Sequence, residues 1–315
     1  MLIAAVNPAG ARSQPKLTGT FLQLWADHRD WPPERWETMF QNFAELELRE
    51  IYVQWSVYND IDYSAVIDVI LTLAERHGMK VHLGLAFDST FWATPENPQA
   101  LEASLTARRQ RSLRMAQLLS AQDRRQSSLA GWYLPEEINE TVWRESQSRQ
   151  ILFQHLKESC RALRGMKPRK PVSISGYADI RTDPTMLAAF WSALLSEAPI
   201  DRVLLQDGIG VGNLGVGYAP AYYRVMKDAV SKRRRDMSII IETFRQVDGD
   251  FNQKPFRAVP ATFQSLLPQL EAAAPYSSQE LVAFTVPDYM IPQAGKEATA
   301  LYEAYRKWLK NPSRR

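Results

Sequence analysis

The sequence predicts an α/β chain folded as a single (β/α)8 barrel, and three observations predict it. Eight short apolar runs alternate with eight helical patterns along the chain, without a break in composition. The runs are rich in Val, Ile and Leu and lack polar alternation, as parallel strands covered on both faces should. Eight complete units without a nucleotide fingerprint favour closure into a barrel over an open doubly wound sheet.

The first strand falls at residues 17–25, and its helix starts at Pro32-Pro33-Glu34, where proline suits the first turn and an acid the positive helix end. Trp36, Met39, Phe40 and Phe43 repeat at helical spacing and mark that helix's core face. The second strand, 50–55, leads to a helix over 63–77 that Gly78 ends. The third, 80–87, closes on Asp88 and precedes a long helix at 98–121. The fourth is Leu129-Ala-Gly-Trp-Tyr-Leu-Pro-Glu136-Glu137-Ile138, an apolar run that stops on two adjacent carboxylates, with a helix at 145–163 behind it. Strands five to eight fall at 171–176, 202–206, 237–243 and 280–286, with helices at 184–196, 220–234, 260–274 and 295–309.

The 315 residues can bury a large core, and 45% hydrophobic with 23% charged content is ordinary for a soluble globular chain. A net charge of +3 is too small to argue for a nucleic-acid partner. Arginines cluster at 108–114 and 233–235, on expected helices where a solvated face accounts for them, and again at Arg314-Arg315. One cysteine, Cys160 in a helical pattern, reads as core and forbids an internal disulfide. With His28, His77, His82 and His155 scattered, no metal site is expected, and no cofactor. No run is long and apolar enough to span a bilayer. Residues 1–16 read as a flexible leader or signal-peptide remnant, apolar at Met1–Val6 with Ala9-Gly10-Ala11 in a small-x-small pattern, and 17–310 as the barrel. The leader points to a periplasmic or secreted protein.

A barrel of this type builds its site at the C-terminal ends of its strands. There the sequence puts Gln23 and Trp25, then Gln54, Trp55 and Tyr58, then Asp88 with Phe91 and Trp92 beyond it. Glu136 and Glu137 follow, then Tyr177 and Asp179, Gln206 and Asp207, Glu242 and Arg245, and Asp288 and Tyr289. Carboxylates and amides bind hydroxyls, and flat aromatic faces stack on pyranose rings. A phosphate cradle backed by lysine is missing. For Gln23, Asp179 or Asp288 taken singly, capping a strand or bonding loop backbone is as good a reading as a sugar contact.

Two buried-type strands that each end on glutamate, at Glu136-Glu137 and at Glu242, carry the chemistry. Glycoside hydrolysis needs one acid for the leaving oxygen and a second carboxylate across the anomeric carbon, about 5–5.5 Å away in retaining enzymes and about 6.5–9.5 Å in inverting ones. The loop from Gly208 to Gly217 has five glycines at a spacing wrong for dinucleotide binding. It reads as a rim loop whose glycines allow close backbone approach to a ligand, with Asp207 before it as a general base or hydroxyl ligand.

Trp132-Tyr-Leu-Pro-Glu136-Glu137, followed by Ile240-Ile241-Glu242, resembles the retaining glycosidases of clan A, in which an Asn-Glu pair ends strand four and a Glu ends strand seven. The resemblance implies Glu137 as acid/base and Glu242 as nucleophile. Glu136 stands where the clan has asparagine, which leaves open which of the two is the proton donor. The clan's tyrosine after strand six and tryptophan ending strand eight are replaced by Gln206-Asp207 and Pro287-Asp288-Tyr289. Gly19-Thr-Phe-Leu-Gln23, Gln54-Trp55, Gly131 to Glu137 and Leu205-Gln-Asp-Gly208 resemble a narrower group of bacterial barrel proteins that carry only a provisional glycosidase assignment.

The leading expectation is a glycoside hydrolase or transglycosylase acting on a bacterial polysaccharide or glucan. The alternative is a non-catalytic carbohydrate-binding barrel of exopolysaccharide assembly or export. A lyase is less attractive without lysine, metal histidines or a phosphate loop. The expected partner is an oligo- or polysaccharide.

Overall fold

The computed structural model describes residues 14–93, 97–121, 127–247, 256–278 and 280–310. The proposed leader lies almost wholly outside the described residues, as do Arg314 and Arg315. Eight parallel strands close into one barrel: β1 Gly19–Leu22, β2 Glu50–Val53, β3 Lys80–Gly84, β4 Leu129–Ile138, β5 Val172–Tyr177, β6 Arg202–Gln206, β7 Asp236–Glu242 and β8 Leu281–Phe284. Each pairs with its neighbours in chain order, and β1 pairs with β8 to complete the circle. The main helices of the outer ring are α1 Pro33–Glu45, α2 Ser64–Arg76, α3 Pro98–Ala121, α4 Ser146–Gly165, α5 Pro184–Glu197, α6 Ala219–Lys232, α7 Phe263–Ala273 and α8 Lys296–Lys310. The predicted (β/α)8 class is the observed one.

Successive strand residues point to opposite faces, so each strand contributes alternately to two cores. The inner core is small and aromatic: Phe21, Tyr52, Tyr133, Leu204, Ile240 and Val282, with Phe284 against it. The opposite face packs on the helices, where Trp36, Met39, Phe40 and Phe43 of α1 are all buried as their spacing required. Cys160 is buried there too. Ionic pairs close the N-terminal end of the barrel. His82 stacks on Tyr52 at 4.4 Å and bonds Glu50, and Arg202 bonds Tyr52 Oη at 2.7 Å and Glu280 at 2.8 Å.

Three strand ends come earlier than the apolar runs indicate. β1 stops at Leu22, because Trp25 opens a short 3-10 turn over Ala26–Asp30. Beyond Val53 and Gly84 the chain leaves the barrel to form a separate three-stranded rim sheet of Val57–Tyr58, Ile61–Asp62 and Ala86–Phe87. After β7, Phe244–Gln246 pairs antiparallel with Ala258–Pro260, so Pro260 ends a rim strand instead of opening a helix. Helix α7 starts after Thr262, whose hydroxyl accepts the Ser265 N–H at 3.2 Å. Among the described residues no helix is long and apolar enough to cross a membrane.

Candidate active site

Strand alternation decides which acids face the lumen. Tyr133 lies in the inner core, so Glu137 points inward, and Glu136 points out towards the helices. Ile240 likewise lies inside, which turns Glu242 inward. A bulge in β4 sharpens this: Leu134 pairs with Ile174 but Glu137 with the next residue, Ser175, so Pro135 and Glu136 are extra. Such bulges re-aim side chains at barrel rims. Glu136 is 3% exposed, with Oε1 3.1 Å from His155 Nε2 on α4. It faces away from the lumen, and of the two adjacent acids only Glu137 reaches the barrel mouth.

Glu137 is held by two amides. Gln54 Nε2 donates to its Oε1 at 3.3 Å, and Gln206 bonds the same carboxylate. Burial pushes Glu137 up to about 7 against the pull of those two bonds. A carboxyl group tuned there can donate a proton near neutral pH. Its charge also reaches Tyr133 beneath it and Tyr177 on β5, whose phenol is pushed up to about 12, mainly by burial.

Glu242 is 4% exposed and is held by backbone. Val211 N–H donates to its Oε2 at 2.8 Å, and Gly210 N–H bonds the same carboxylate. Gly210 is needed for that approach, because a Cβ there would lie 2.7 Å from Glu242 Cβ and 2.5 Å from the Phe244 carbonyl oxygen. The close approach that the glycines permit is therefore to Glu242 itself. The cue was a glycine run after one strand with the next strand ending on glutamate.

Asp207 lies behind this pair and is fully buried. Its Oδ1 accepts the N–H of Ile209 at 3.2 Å and of Glu242 at 3.3 Å, and its Oδ2 has no partner. It supports Glu242 rather than offering a face to a hydroxyl. Burial raises Glu242 well above the carboxylate range, the Asp207 charge raises it further, and Glu137 adds to the effect. Glu137 and Glu242 thus sense each other across the mouth, and Asp207 and Glu242 together retain a proton.

The other predicted residues divide into rim and wall. Trp25 is 41% exposed and Trp92 53% exposed on the rim, linked through Trp55 and Phe87 by ring contacts of 5.9, 6.2 and 6.2 Å. Trp55 is wall: it is buried, and its indole N–H donates to the Leu24 carbonyl at 2.9 Å. Gln23 is partly buried two residues beyond Phe21. Tyr289 packs on Phe244 at 5.0 Å, while Arg245 is exposed on the hairpin after β7. Asp88 is occupied, capping Thr90 N–H at 3.1 Å and pairing with Arg108 at 2.8 Å. The expected solvated face at Arg108 is corrected by the same contact, since the side chain is buried against Asp88 and Phe91. Asp179 is held by Arg181, and Asp288 bonds Thr285 and Trp25. Among the described residues no cluster of His, Cys, Asp and Glu could hold a metal.

A family described as a domain of unknown function, DUF4434, matches residues 17–296, and the chain belongs to that family. A curated relative, the uncharacterized protein YbcH of Escherichia coli K12, is 25% identical over 202 residues, covering 62% of this chain and 67% of that protein. Among solved structures, a protein of Bacteroides thetaiotaomicron provisionally assigned as an alpha-L-fucosidase aligns over 98% of this chain and 99% of its own, at 20% identity and a TM-score of 0.73. GH10 from Paenibacillus barcinonensis aligns over 96% and 97%, at 12% identity and a TM-score of 0.57. The endo-beta-1,4-mannanase of Thermotoga petrophila aligns over 96% and 78%, at 9% identity and a TM-score of 0.54. These likenesses establish a shared barrel.

Proposed function

With family membership and the barrel mouth as premises, we propose that this chain is a glycoside hydrolase acting on a bacterial polysaccharide or glucan. One observation carries the reading: the inward glutamates ending β4 and β7 face one mouth, near enough that the charge of Glu137 raises Glu242. Glu137, tuned to about 7, serves as acid/base. Glu242 is the nucleophile, and the outcome is retention at the anomeric carbon. The glucoside or polymer lies against the exposed indoles of Trp25 and Trp92. An exported location, periplasmic or secreted, belongs to the same proposal, and fractionation of cells making the full chain tests it.

The mechanism follows from the two supports. Glu137 protonates the leaving oxygen while Glu242, ionised with the proton of the pair held on Asp207, bonds the anomeric carbon. Glu137 then takes the proton of an incoming water that releases the sugar. Purified protein is screened against glucans and exopolysaccharides, with product anomers read by NMR. Glu137→Gln and Glu242→Gln should each abolish turnover while keeping the fold. Retained activity in both variants sinks the assignment.

A second reading has one observation in its favour. Glu242 lies 4% exposed beneath Gly210 and Val211, as a residue without a catalytic duty could. The chain would then be a non-catalytic carbohydrate-binding barrel of exopolysaccharide assembly or export. Saturable oligosaccharide binding with no hydrolysis across the panel favours it.

A further inference from the structure

We propose that Gln54 and Gln206 are positioning residues, a pair of amides that grip the Glu137 carboxylate from either side and fix its proton affinity. Barrel interiors fill in layers whose members come from alternate strands. Tyr52 of β2, Tyr133 of β4 and Leu204 of β6 all lie in the inner apolar core. The next inward positions are Gln54, just past the end of β2, Glu137 on β4 and Gln206 on β6, the bulge having carried Glu137 past Pro135 and Glu136. An amide, an acid and an amide therefore stand directly above the aromatic core. Gln54 comes from two strands to one side of β4, and Gln206 from two strands to the other.

Both side chains carry what a sugar hydroxyl could use, and both give a donor to Glu137, while the Gln54 carbonyl oxygen is buried without a partner. Gln54 is 5% exposed, so its amide cannot trade that bond for water. An N–H donor favours the ionised carboxylate, so the two bonds oppose the effect of burial and keep Glu137 able to give up its proton. The titratable groups facing Glu137 from the surrounding strands are Tyr133 below it, Tyr177 on β5 and Glu242 on β7, with Asp207 behind Glu242. The phenols are pushed up and stay neutral where Glu137 titrates. The value of the grip to an acid catalyst rests on the glycosidase reading; the grip itself does not.

The test is a titration of the full chain with its glutamate carboxyl carbons labelled with 13C, followed by NMR without substrate, the Glu137 signal being the one that Glu137→Gln removes. Gln54→Met and Gln206→Met keep bulk and delete the donor. Each should raise the Glu137 midpoint by about one pH unit, the size expected for losing a hydrogen bond to a charged group. A midpoint unmoved in both folded variants overturns the proposal. Should either methionine variant fail to fold, the leucine variant at the same position takes its place: Gln54→Leu or Gln206→Leu also deletes the donor and adds no charge, and an unshifted Glu137 midpoint overturns the proposal. Because no substrate enters, a chain that hydrolyses nothing still decides the matter. If turnover exists, the alkaline limb of kcat/KM moves upward with the midpoint in the same variants.

Discussion

Val211 gives its backbone N–H to the carboxylate of Glu242 at 2.8 Å, so the catalytic candidate of β7 is held by the loop that leaves β6. The arrangement works because Gly210 has no side chain and because Gln246 N–H, on the hairpin after β7, bonds the Gly210 carbonyl at 2.8 Å. Strand end, hairpin and glycine loop are thus tied through one residue that no side chain can replace.

Gly210→Ala puts a methyl group 2.7 Å from Glu242 Cβ, against backbone that cannot swing aside. Overpacking of that kind costs about 1–3 kcal/mol. The loop should lift, the Val211 amide should lose protection from hydrogen exchange, and denaturant unfolding should begin earlier. An alanine variant with unchanged stability and a protected Val211 amide would contradict the described contact.

The raised Glu137 makes a claim about pH. Between the usual carboxylate value of 4.5 and about 7 the folded protein binds a proton at Glu137 that the unfolded chain has released. This contribution therefore weakens the fold as pH rises through that window, by an amount on the order of 1–3 kcal/mol. Glu137→Gln removes the dependence, so its unfolding free energy should gain on the parent protein as pH climbs. Urea unfolding of both proteins at several pH values reads the difference directly.

Much of this was legible before any coordinates. Eight strands of one polarity and the core face of α1 followed from apolar spacing alone. Which of Glu136 and Glu137 faces the lumen was not legible, because alternation puts adjacent residues on opposite faces without saying which face is inside. What stayed hidden were the pairings made at a distance. The Asp88 carboxylate and the Arg108 guanidinium are 20 positions apart on different elements, and only the fold brings them to 2.8 Å. Asp207 looked like a ligand for hydroxyls because a strand end is where ligands bind. Its burial comes from the return of the glycine loop over β7, which local composition does not encode.

Asp207→Asn separates charge from geometry. An asparagine carbonyl can still accept the Ile209 and Glu242 N–H groups that now reach Oδ1. What it lacks is the negative charge that raises Glu242. The Glu242 midpoint should fall by about one unit or more, and with it the acidic limb of any pH–rate profile. Stability is not the readout, because the asparagine NH2 would stand where Oδ2 is buried without a partner. A folded variant that leaves the Glu242 titration where it was would show that the two acids do not interact as described.

Three tryptophans on one ring-contact path should respond differently. Trp55 is 4% exposed and bonds the Leu24 carbonyl, so Trp55→Ala opens a cavity costing about 3–5 kcal/mol. Trp25 and Trp92 are 41% and 53% exposed, so Trp92→Ala should change stability by no more than about 0.5 kcal/mol. Trp25 also contributes to holding Asp288, and Trp25→Ala should cost slightly more. If a saccharide lies on this rim, both exposed variants lose affinity by roughly 1 kcal/mol, about fivefold, as expected for a lost stacking contact. Calorimetric titration of oligosaccharide into Glu137→Gln protein, with and without each rim substitution, measures it. Equal affinity with and without Trp25 and Trp92 would remove these two residues from the binding surface.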